Sequence, residues 1–158
     1  MNLASKKKSF IAILIAAFVV FFIYQSNKQA PITISWQTLA AVTFKKTWYA
    51  PYNANVDVPK FTDTLKKLNG QLVELTGFYI PMGMNSDKCA LSKNPNSSCF
   101  FCGGSTIETI VMVKFKGKMV DFPDDAVITI RGKLQLDTAF NEFIYNLKEA
   151  QYVASQNN

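Results

Sequence analysis

The stretch Ser98-Cys99-Phe100-Phe101-Cys102-Gly103-Gly104, with Cys89 ten residues before Cys99, is the part of the chain whose residue types and spacing suit chemistry at sulfur. A C-x-x-C spacing brings two sulfurs to one side of a tight turn, and the glycines that follow permit the close backbone approach of a metal knuckle. A structural zinc takes four ligands, so Cys89, Cys99 and Cys102 would need Asp87, a water or a second chain to complete a set. The same pair can cycle between dithiol and disulfide, which an oxidising compartment supports. Such pairs are activated when the first thiol sits at a helix N-terminus. The plainest use of the three cysteines is a structural bridge between two of them, pinning a long loop to the folded body with one left over. His is absent from all 158 residues, which removes Ser-His-Asp, Cys-His and His-zinc chemistries.

Few other side chains offer chemistry. Phe100 and Phe101 form either an apolar contact for a partner or part of the core beside the cysteines. Glu74 and Glu108 fall on expected strands without an acid partner, so a two-carboxylate hydrolase is not supported. No glycine-rich phosphate loop is present. The formal net charge is +6, but residues 1–30 contribute Lys6, Lys7, Lys8 and Lys28 with no acid. The remainder, with 13 basic and 11 acidic side chains, is close to neutral and its lysines are scattered, so nucleic acid is not an expected partner.

The elements that position these residues read mainly as strands: Gln71 to Ile80, Thr106 to Phe115, Val127 to Leu136, and Phe143 to Leu147 continuing toward Val153. Val73, Leu75, Gly77 and Tyr79 alternate with Glu74, Thr76 and Phe78, the pattern of a half-buried strand. Gly77 and Gly132 fall mid-strand, where glycine marks a bulge or sharp coil and hence barrel closure. Ser105-Thr106-Ile107-Glu108 matches a helix capping box, but the β-branched residues that follow favour a strand. Phe61, Leu65 and Leu68, with Pro59 before and Gly70 after, predict one short helix. Thr43 to Tyr49 is rich in β-formers, whereas Pro51, Asn53, Asn55 and Pro59 make the next stretch loop-like, as is the segment around Cys89. The fold expected is mostly β: a small OB-like Greek-key β-barrel with one short helix, preceded by an N-terminal transmembrane helix.

That helix is read from Lys6-Lys7-Lys8 and the uninterrupted apolar run behind them, Phe10 to Tyr24. Fifteen residues rise only ~22 Å as a helix, short of the ~30 Å hydrocarbon core, but flanking lysines can snorkel to the interface. Bulky Phe21-Phe22-Ile23-Tyr24 does not suit signal peptidase, so an uncleaved anchor is expected, its orientation set by the lysines. The organisation is then residues 1–9 as a cytoplasmic basic region, 10–24 as a transmembrane signal anchor, 25–35 as linker, 36–153 as the β domain and 154–158 as tail. This makes a single-pass inner (cytoplasmic) membrane protein with its C-terminal domain extracytoplasmic, in the periplasm.

Trp36, the run Gly70 to Met82, Cys99 to Gly104 and Ile128 to Leu134 together resemble a family of exported bacterial proteins held as a domain of unknown function. Its members read "W..L", then "dG..V.l.GfivP", a Cys-containing segment, and "v.v.G.l". The resemblance covers most of residues 36–153 and implies an OB-like barrel, with Cys99 as the position carried over. Relatives follow that Cys with Ile-His and a proline run, where this chain has Phe100, Phe101 and Cys102. The resemblance further implies an accessory role beside an envelope transport or export complex. The expected function is a membrane-anchored binding or accessory module, not an enzyme and without a cofactor; the alternative is a thiol-redox or zinc-binding protein using Cys99 and Cys102.

Overall fold

A computed structural model describes residues 30–83, 87–95, 106–117, 122–138 and 143–155. The chain divides into two units, Met1–Ala30 and Pro31–Asn158, and the second holds every described residue but Ala30. The expected anchor and its flanking Lys6, Lys7 and Lys8 lie outside the described residues. Among the described residues no helix is long and apolar enough to cross a membrane.

The second unit begins ahead of Trp36, with strand β1 (Ile32–Thr33) and helix α1 (Trp36–Leu39). Next come β2 (Val42–Tyr49) and β3 (Ala54–Phe61), then helix α2 (Asp63–Leu68). Five further strands complete it: β4 (Leu72–Pro81), β5 (Lys88–Ser92), β6 (Ile110–Phe115), β7 (Val127–Leu136) and β8 (Tyr145–Ser155).

These five strands close on themselves. Their order is β4-β5-β6-β8-β7, and β7 pairs back to β4 from Leu72↔Lys133 to Phe78↔Val127. All neighbours within the ring are antiparallel except β6 and β8, which run parallel. β4 is long enough to serve two neighbours along one edge: its start holds β1 in parallel, Ile32↔Val73, and its end holds β5, Phe78↔Ser92. The protein is therefore a small, mostly β domain built on a closed five-stranded barrel, as the alternation in β4 and β7 predicts.

The alternation places Val73, Leu75 and Tyr79 of β4 and Ile128, Ile130 and Leu134 of β7 in the core. Two glycines let the barrel close. A Cβ on Gly77 would lie 2.8 Å from both the Ser92 carbonyl oxygen and Cζ2 of Trp36, so of the bulge or sharp coil expected here the position shows no register shift but a close approach. Gly132 does face a bulge: the β7–β8 register slips between Arg131 and Lys133, and Glu149 on the opposing strand takes φ 51°. That positive φ supplies the extra residue which bends β8.

Three expectations are corrected by the strands and helix observed. The segment around Cys89 is a strand, β5, whose short run is buried on both faces and so shows no alternation. The loop-like stretch after Tyr49 is the returning strand β3, paired with β2 from Val42↔Phe61 to Tyr49↔Ala54 across a 3-10 turn, Ala50–Tyr52. The helix begins not near Pro59, which lies within β3, but at Thr62, whose Oγ1 accepts from the Leu65 N–H at 3.4 Å. Beyond these, the residues from Thr106 form one 3-10 turn, Ile107–Thr109, before the expected strand.

Candidate functional site

The β2–β3 hairpin is a two-stranded sheet of its own, an arm joined to the barrel at its root. Register sets its two faces. On one lie the cross-strand pairs Val42/Phe61, Phe44/Pro59, Lys46/Asp57 and Trp48/Asn55. The first pair is in the core, where the Phe61 ring packs on Tyr145 at 5.8 Å between centroids. Tyr145 in turn donates its hydroxyl to the Leu39 carbonyl at 2.6 Å, tying β8 to α1. Burial and the charge of Glu108 both push the Tyr145 phenol above its ordinary range.

Beyond this root the arm and barrel enclose a cleft of about 510 Å³. The arm supplies Phe44, Tyr52, Asp57 and Pro59; the barrel supplies Thr106, Ile107 and Glu108 before β6, and Asp137, Thr138 and Ile144 between β7 and β8. Local hydrogen bonds fix each wall. Thr109 N–H donates to the Thr106 carbonyl at 2.9 Å and holds the turn presenting Ile107 and Glu108. Asp137 N–H donates to the Ile144 carbonyl at 3.0 Å, and Asn146 Nδ2 donates to the Phe143 carbonyl at 2.7 Å. Asn146 is buried and its Oδ1 has no hydrogen-bond partner among the described residues. On the arm, Lys46 Nζ donates to Asp57 Oδ1 at 3.2 Å, and the Tyr49 and Tyr52 rings meet edge to face at 5.0 Å.

The lining combines five apolar or aromatic side chains, two threonines and three carboxylates; among the described residues it has no basic side chain and no cysteine. The cleft is thus suited to binding a group with apolar surface and positive charge, and its size falls in the ordinary range of ligand sites, roughly 300–1,000 Å³. No local pattern in the sequence points to it, because its walls are three segments separated by dozens of residues. Glu108, expected to stand without an acid partner, shares the cleft with Asp57 and Asp137. Glu74 instead forms a cross-strand pair, with Arg131 Nε and Nη2 donating to its Oε1 at 2.8 and 2.6 Å.

Of the sulfur candidates, Cys89 alone is among the described residues. It is a free thiol facing the barrel core, fully buried, and desolvation pushes its pKa up to about 12. Such a thiol is not a ready nucleophile. Cys99, Cys102, Phe100 and Phe101 lie outside the described residues. Among the described residues no group of three metal-ligating side chains converges.

Trp36 and Gly77, distant in the sequence, meet in the fold. The Trp36 indole lies against Gly77, and its Nε1 donates to the Thr76 carbonyl at 2.8 Å, so the tryptophan and the strand glycine form one contact. No family model matches the chain, and no curated protein matches it. Among solved structures the chain is similar to a DUF3299 family protein, a domain of unknown function, from Pseudomonas aeruginosa PAO1. The likeness covers 82% of this chain and 100% of that one, at TM-score 0.50 and 15% identity, and speaks to the fold alone.

Proposed function

We propose that this chain is a membrane-anchored, extracytoplasmic binding module of an envelope complex, built on an OB-type barrel and not itself an enzyme. Support for the OB type comes from the closed strand order with its one parallel pair inside the ring, β6 with β8. The exported family seen in the sequence motifs is consistent with the bacterial domain of unknown function that the fold resembles. The observation that carries the binding role is the cleft between arm and barrel, where five apolar or aromatic side chains share the lining with three carboxylates, of which Asp57 also pairs with Lys46. Its occupant is an apolar segment bearing a lysine or arginine; a nucleic-acid backbone would meet repulsion there.

The thiol alternative has less support. Cys89 is withdrawn into the core, and the residues from Thr106 onward form a 3-10 turn and a strand in place of an α-helix that would lower a nearby thiol pKa.

Site-specific photocrosslinking tests the binding role in cells that make the full chain. Benzoylphenylalanine in place of Ile107, in the cleft, is expected to trap a discrete envelope protein, and Phe44→Glu is expected to abolish the adduct. The same probe in place of Lys133, on β7 away from the cleft, is expected to trap nothing. Equal adducts from both positions, or an adduct at 107 indifferent to Phe44→Glu, would exclude the cleft as the binding site.

A further inference from the structure

The cleft takes Phe44, Asp57 and Pro59 from one face of the arm and reaches Tyr52 in the turn at its tip, whereas Trp48 and the opposite face lie outside its lining. Eight-residue strands extend about 26 Å, which sets the tip well away from the root. Trp48 is 57% exposed and Tyr52 64%, and Tyr49 packs against Tyr52. On the face away from the cleft, register places Tyr49/Ala54 and Thr47/Val56 toward the tip, with Lys45/Val58 and Thr43/Lys60 behind them. Across the whole arm Asp57 is the sole acid, and it is paired with Lys46. The arm therefore grades along its length, aromatic and apolar at the tip and basic nearer the root. An isolated hairpin is marginally stable in water, and exposed Trp and Tyr ahead of lysines is the arrangement that suits a membrane interface, with rings at headgroup level and ammonium groups beside phosphates.

We propose that the tip of the β2–β3 arm, through Trp48, Tyr49 and Tyr52 with Lys45 and Lys60 behind them, is a lipid-contact surface that seats in the headgroup region of an anionic bilayer. The inference rests on the anchored reading of residues 10–24. Chain length then makes the contact reachable: from Tyr24 to Ala30 is six residue steps, at most ~20 Å when fully extended.

The test uses the full chain reconstituted with vesicles of phosphatidylcholine and phosphatidylglycerol, with and without brominated acyl chains. Flotation reads anchoring, and quenching of tryptophan emission reads contact. The chain has two tryptophans, and Trp36 is committed to Gly77 and Thr76. The expected result is flotation with strong quenching by the brominated chains, the quenched component disappearing in Trp48→Phe while flotation persists. Flotation with no quenching, or with quenching unchanged in Trp48→Phe, would overturn the lipid contact and leave the anchor standing. A chain that stays at the bottom of the gradient would overturn both.

Discussion

The barrel and the arm are made of the same element, paired β-strands, yet obey opposite rules. Each barrel strand has a neighbour on either side and one face in a common core, whereas β2 and β3 have only each other and are exposed over most of their length. The barrel is complete in itself. Its core positions are set by packing: Gly77 by the indole of Trp36, Tyr145 by the Leu39 carbonyl, Leu75 and Ile130 by the core. The arm's Trp48, more than half exposed, has no place in that core, and a residue of this kind points to a surface outside it.

Substitutions that test this contrast fall in a clear order. The largest effect is expected at Gly77→Ala, where the added methyl meets a backbone oxygen and an indole, both at 2.8 Å; a loss of about 3 kcal/mol in denaturant unfolding is expected. Next comes Tyr145→Phe, which leaves the Leu39 carbonyl without its donor and costs about 1–2 kcal/mol by the same measurement.

The barrel also predicts an alkaline limit. Cys89 and Tyr145 both have folded-state pKa values raised above their unfolded ones, so each contributes stability that is fully present below the unfolded value and is lost as pH rises toward the folded one. Beginning near pH 9, the ordinary value for Cys89, stability is expected to fall by about 1.4 kcal/mol per pH unit from that thiol. Cys89→Ala lowers stability at pH 7 by leaving space in the core, but it flattens this slope, which urea titrations between pH 8 and 11 would read.

Smaller and opposite in sign is Glu149→Gly. The residue holds φ 51° at the β8 bulge, and glycine adopts that conformation freely, giving up only an exposed ion pair with Lys133. A gain of about 0.5 kcal/mol in unfolding free energy is expected. Trp48→Ala is expected to leave stability unchanged within about 0.5 kcal/mol, since the ring is largely exposed. A large loss there would mean that the arm is packed like the barrel and would end the contrast.

Legibility in the sequence divides along the same line. β4 and β7 are legible because one face of each is buried and the alternation is therefore written into the chain. β5 is not, since Lys88 to Ser92 is short and enclosed on both sides, leaving no period to detect. β3 is hidden by Asn55, Asp57 and Pro59, residues that resemble a loop and become strand only through their partners on β2. The tip residues stand out as β-formers without indicating what they contact. The cleft is illegible altogether, because Phe44, Glu108 and Asp137 meet only after the barrel has closed.

The central claim is that a self-sufficient barrel carries an arm whose outer part is completed by something beyond the domain. Hydrogen exchange of the full chain, solubilised without bilayer lipid and then reconstituted into vesicles, tests it most directly. Without lipid, amides of β4, β6, β7 and β8 are expected to exchange only through global unfolding, while those of Val42–Tyr49 and Ala54–Phe61 beyond the root exchange far faster. On reconstitution the arm alone is expected to slow. Equal protection of arm and barrel without lipid, or an arm indifferent to the bilayer, would contradict the account.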